Sequence, residues 1–107
     1  MPKFLIHASY TSDGIKGILK GGGSARRAAA QQACESVDGR LEAFYFAFGE
    51  HDVYAIIDAP DSVSMAAAAL AINASGAVHT RTTALLTPEE IDQAAKKRVR
   101  YSPPGQT

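Results

Sequence analysis

At 107 residues the chain is long enough for one hydrophobic core and too short for two. Hydrophobic residues make up 46% and charged residues 21%, the balance of an ordinary globular domain. Eleven basic and eleven acidic side chains cancel, which argues against a nucleic-acid binder or an anionic-membrane binder, because capturing phosphates takes a basic surplus.

Cys34 is the one cysteine, so an internal disulfide is ruled out and a reducing, cytoplasmic setting is expected. Its place in AAAQQACESV suggests a small packed side chain rather than a reactive thiol. No apolar run approaches the roughly 18 residues of a membrane span, and MPKFLIHASYT lacks the apolar core of a signal peptide.

Taken in order, Lys3 to Ser9 alternates, with Phe4, Ile6 and Ala8 on one face and Leu5, His7 and Ser9 on the other. That is a strand with one fully apolar side. Tyr10 to Gly14 offers N-cap residues and a turn, and IKGILK reads as a short helical segment. Gly21, Gly22 and Gly23 interrupt it, since each glycine costs a helix interior about 1 kcal/mol relative to alanine. Ser24 is the expected cap of a second helix, whose apolar stripe is Ala29, Ala30, Ala33, Cys34 and Val37. Asp38-Gly39 ends it with a left-handed residue.

From Leu41 to Asp61 two aromatic and β-branched runs flank Gly49-Glu50-His51-Asp52, which predicts a β-hairpin. After Pro60 a helix begins at Asp61 or Ser62 and runs through VSMAAAALAINAS to Gly76. It is apolar nearly all round, and such a helix is covered on more than one side; in so small a domain the second cover points to another subunit. Ala77 to Leu86 is the last strand, with Val78, Thr80, Thr82 and Ala84 on one face and His79, Arg81 and Thr83 on the other. Thr87-Pro88-Glu89-Glu90 is a helix start with both a capping box and proline at the first position. Residues 1–95 therefore form the domain, and 96–107 a basic, proline-containing tail. The order strand, helix, hairpin, helix, strand, helix is α+β: a ferredoxin-like βαββαβ unit with a four-stranded antiparallel sheet, plus a C-terminal helix.

FYFAFGEHDVYAIIDAPD, with GGSARRAA upstream and NASGAV and RTTALLTPEE downstream, resembles the GYD-domain family of small bacterial and archaeal proteins. The likeness covers about residues 2 to 95. It departs at His51, where the family's G-x-Y-D turn carries tyrosine. The resemblance implies a ferredoxin-like fold related to the dimeric α+β barrels, which pair through their sheets and hold ligands between sheet and helices near the interface. It implies no particular activity, because fold relatives include monooxygenases, isomerases and ligand-binding regulators.

Three constellations carry candidate chemistry. His7, His79 and Arg81, with Tyr45 and Tyr54 beside them, belong to the sheet face turned away from the helices. There a histidine can serve as acid or base and Arg81 as anion partner. The same groups equally suit a subunit interface. Ser24, Arg26 and Arg27 open a helix after three glycines and suggest an anion site, or else a structural kink. His51-Asp52 reads as turn geometry. Two histidines fall short of a zinc ligand set, so no metal and no cofactor is expected. The basic tail residues Lys96, Lys97, Arg98 and Arg100 read as a solvated charge run. The leading expectation is a homo-oligomer, dimer or higher, that binds a small ligand or partner through the sheet, with no nucleic acid and no membrane. The alternative is a cofactor-independent enzyme that uses His7 or His79 with Arg81, and a third possibility is a purely structural assembly protein.

Overall fold

The computed structural model of the chain describes residues 1–105. Its elements are β1 (Lys3–Tyr10), α1 (Ser12–Gly21), α2 (Gly23–Glu35), β2 (Arg40–Phe46), β3 (Val53–Asp58), α3 (Ser62–Ala74), β4 (Val78–Leu85) and α4 (Pro88–Ala95). The strands form one antiparallel sheet in the order β2-β3-β1-β4, the ferredoxin-like arrangement. Alternation in β1 and β3 sends Phe4, Ile6, Ala8, Val53, Ala55 and Ile57 under the helices, where they bury with Cys34, Met65 and Ala68. Each large member contributes about 1.5–3 kcal/mol relative to exposure.

The first helix is longer than IKGILK, because Thr11 caps it from outside: its hydroxyl accepts from the Gly14 N–H at 3.3 Å. Thr11 also ties α1 to β4, donating to the Ala77 carbonyl from its backbone N–H at 3.0 Å and its hydroxyl at 3.2 Å. A β-carbon on Gly14 would collide with that same carbonyl oxygen, so the position requires glycine. The glycine break falls where expected, with Gly22 at φ +86°. Ser24 is not the cap, however. The reversal at Gly22 starts α2 at Gly23, and Ser24 lies one residue inside it.

At the other end of α2 the left-handed residue is Asp38, at φ 60°, rather than Gly39. Gly39 is needed for a different reason: a β-carbon there would meet the Asp58 carbonyl oxygen at 2.7 Å and that of Cys34 at 3.2 Å. The hairpin connection is longer than the four residues expected, since β2 ends at Phe46 and β3 begins at Val53. Asp52 closes it from within, its carbonyl accepting from the Ala47 N–H and its N–H donating to the Ala8 carbonyl, both at 2.8 Å.

Two features depart from a closed domain. Helix α3 buries Met65 and Ala68 and leaves Val63 and Leu70 exposed. Beyond β4, residues 86 to 105 are all exposed, although α4 is capped by the expected box, Thr87 accepting from the Glu90 N–H and Glu90 from the Thr87 N–H. The radius of gyration is 17.3 Å, against about 13 Å for a compact domain of this length. The tail assigned from the sequence runs to Thr107; its last two residues lie outside the described residues.

Candidate functional site

The sheet face opposite α2 and α3 is organised in rows that follow from the strand register. One row reads Arg40, Asp58, Lys3, Leu85 across the strands; the next reads Ala43, Ile56, Leu5, Thr83; the third reads Tyr45, Tyr54, His7, Arg81. Beyond it Ser9 stands opposite His79. The register thus brings His7 and Arg81 together as cross-strand neighbours, with His79 one row further on. Tyr45 lies two strands from His7, separated from it by Tyr54. Tyr45, Arg81 and His79 are exposed, and His7 and Ser9 are half-buried.

The hairpin loop adds a residue that strand alternation does not reach. The Asp52 carboxylate accepts from the Tyr10 N–H at 2.8 Å, where β1 runs past the end of β3. Together with the Asp52–Ala8 bond this clamps the loop onto β1, and the preceding residue, His51, comes to rest over His7. Their rings stack at 4.8 Å with an interplanar angle of 29°. Tyr54 meets both edge-on, at 5.2 Å from His7 and 5.8 Å from His51, and the Ser9 hydroxyl lies 3.4 Å from His51 Nδ1. The cluster is therefore His7, His51, Tyr54 and Ser9, flanked by Arg81 and Tyr45. Reading His51 as a turn former missed it. The available signal was that a glycine–aspartate turn has no use for a ring, yet this turn carries an imidazole where the GYD pattern carries a phenol.

The far end of the same face is closed by charge. Asp58, 5% exposed, accepts from Lys3 Nζ at 2.8 Å and from Arg40 Nη2 at 2.8 Å, while Lys3 also reaches Glu42 at 3.0 Å. Hydrogen bonds from Lys3 and then Arg40 hold the Asp58 carboxyl below its ordinary 3.8, and the same contacts raise Lys3. Between the two ends Leu5, Ile56 and Ala43 form a half-buried apolar row.

Ser24, Arg26 and Arg27 do not share one pocket. Ser24 and Arg27 line a shallow groove with Gly23, Phe44 and Phe46, whereas Arg26 turns to the other side of α2, towards Tyr10. There it borders a cavity of about 110 Å³ between the sheet and the helices, walled by Ile6, Phe44, Val53 and Ile72 among others. Burial pushes the Tyr10 phenol up, and the nearby Arg26 guanidinium offsets part of that shift. Cys34 also faces this cavity, its thiol pushed up by burial. Among the described residues no group of three or more His, Cys, Asp or Glu is placed to hold a metal ion. None of the described helices is long and apolar enough to cross a membrane.

An antiparallel sheet with helices on one face and a cluster of imidazole and phenol rings on the other defines a ferredoxin-like α+β domain with a half-open sheet surface. The family model for the GYD domain matches residues 4–95, most of the chain, and the chain belongs to that family. No curated protein and no solved structure matches it.

Proposed function

We propose that this GYD-domain protein is a homo-oligomeric binding domain. A second copy covers the open sheet face, and His7, His51, Tyr54 and Arg81 receive a small anionic or carbonyl-bearing ligand within the covered region. One observation carries the reading: two stacked imidazoles and a phenol stand beside a half-buried apolar row on a face that no helix covers. Stacked sheets bury apolar rows of this kind, and a shielded guanidinium binds carboxylate strongly because its hydrogen bonds are charge-assisted. Native mass spectrometry of the purified chain tests it, reading subunit number and retained ligand together. With pyruvate as the probe in a calorimetric titration, Arg81→Ala should weaken binding by about tenfold, the equivalent of about 1.4 kcal/mol. A monomer at micromolar concentration, or unchanged pyruvate binding in Arg81→Ala and His7→Ala, would sink the reading.

A second reading rests on the pairing of His7 with Arg81 across neighbouring strands. That pair, with His79 one row away, suits a cofactor-independent enzyme in which an imidazole moves a proton on a substrate whose anion Arg81 holds. The two readings separate by turnover. Hydrogen–deuterium exchange at the pyruvate methyl group, catalysed by the wild type and lost in both His7→Ala and His79→Ala, would select the enzyme.

A further inference from the structure

The last helix has no place in its own domain. Every residue from 86 to 105 is exposed, and Ile91, in the middle of α4, is 50% exposed. An isolated helix of eight residues is far below the length that is stable in water by itself. Yet α4 carries a complete capping box, proline in its first turn and acidic residues at its positive end. Its apolar side, Ile91 with Ala94 and Ala95 at helical spacing and Leu86 ahead of it, is written for a partner.

A matching surface lies on the domain itself. Between α3 and edge strand β4 runs an open groove of about 490 Å³ whose walls include Phe4, Met65, Ala66, Ala69, Leu70 and Ala84. On the helix side of β4, Thr82 and Ala84 are exposed along this groove. Leu70 is 73% exposed at the rim. The groove is mostly apolar, and α3 has no charged side chain along it.

We infer that α4 is an exchanged arm: it packs into the α3–β4 groove of a second copy, which returns its own α4. The inference rests on the sheet-covered oligomer proposed above, and interface area favours the second copy as occupant. Four strands about 4.8 Å apart and about 23 Å long present roughly 450 Å² in projection, about half of the roughly 800 Å² per partner in a stable interface. One side of a helix of α4's length, about 12 Å long and 10 Å across, adds roughly 200 Å² as arm and a similar area as groove. Arm and groove thus nearly double the projected area that the sheet face offers, and the two together match what a stable dimer uses. Reach agrees as well. Two linker residues and α4 span about 19 Å, close to the distance from one sheet, across a stacked partner sheet about 10 Å away, to the partner's helix layer. The exchange requires a two-fold axis running across the strands, so that β4 of one copy stacks on β4 of the other.

Disulfide trapping tests the arm in the full chain. Leu70 and Ile91 are both exposed, so the double variant Leu70→Cys, Ile91→Cys folds as the parent does. After mild oxidation it should run as a covalent dimer at twice 11.3 kDa, bridged between positions 70 and 91 by peptide mapping. A bridged monomer would overturn the exchange in favour of α4 folding onto its own groove, and a failure to bridge would overturn the groove as its seat. Ile91→Asp provides an independent reading: it should raise the dimer dissociation constant at least tenfold, and an unchanged constant also overturns the arm. If the wild type is dimeric but these outcomes fail, the arm is wrong and the sheet-face reading stands. A monomeric wild type defeats both.

Discussion

At one end of the open sheet face Asp58 accepts from Lys3 and Arg40, and Lys3 also reaches Glu42. Every charge there has a partner, and the helix-side connection packs against it so closely that Gly39 has no room for a β-carbon. At the other end His7, His51 and Tyr54 meet through their rings, and the single polar contact among them is the 3.4 Å approach of Ser9 to His51. Among the described residues no hydrogen bond is formed by the side chains of His7, Tyr54 or Arg81. The same strands thus build one end whose polar groups satisfy each other and one whose polar groups are kept available. The first end is explained by stability; the second is the end to which the proposed ligand is assigned.

Substitutions at the two ends test that contrast. Gly39→Ala should have the largest effect, because its β-carbon meets two backbone carbonyls that cannot yield without moving α2 or β3. A loss of about 2–3 kcal/mol is expected in urea unfolding, and a loss below 0.5 kcal/mol would show that the charged end is slack. Asp52→Ala removes the acceptor of the Tyr10 N–H and should cost about 1–2 kcal/mol. It should also release the loop, visible as loss of the His7–His51 ring-current shift in proton spectra; retained shifts would show that the clamp is elsewhere.

Asp58→Asn predicts a pH signature. The folded carboxyl lies below 3.8, so its contribution is present above the unfolded value and is lost as pH falls through the folded one. The variant should be less stable than the parent at pH 7 and converge with it in acid, once the pH has fallen through the folded value, which lies below 3.8. Parallel stability curves across that window would show that the ion network contributes nothing. The smallest effect belongs to His7→Ala, at the other end of the face, which should change monomer stability by about 0.5 kcal/mol or less while removing pyruvate binding. A large loss of stability there would turn the ring cluster into a structural one.

Much of this face was legible in the sequence because strand parity is a local property. Once Phe4, Ile6 and Ala8 are assigned to the core, His7 must point the other way, and the same argument places Arg81 and His79. The βαββαβ order then makes β1 and β4 neighbours. His51 was not legible because it lies in a loop, where parity does not apply, and its position depends on Asp52 bonding to residues more than forty positions earlier in the chain. Ser24 was misassigned as a cap because the reversal at Gly22 does not need a side chain. The separation of Arg26 from Arg27 follows from helical geometry, in which consecutive residues turn about 100° apart, so a shared anion site needed more than adjacency.

The sequence by itself determined the elements, their order, the glycine break, the capped last helix and the two faces of each strand, because periodicity and capping act over a few residues. Only the tertiary structure decided which polar groups meet. Cross-strand register set His7 between Tyr54 and Arg81, the Asp52 clamp carried His51 over the sheet, and the domain closed without using α4. Those outcomes depend on contacts between distant segments, and no local pattern in the chain contains them.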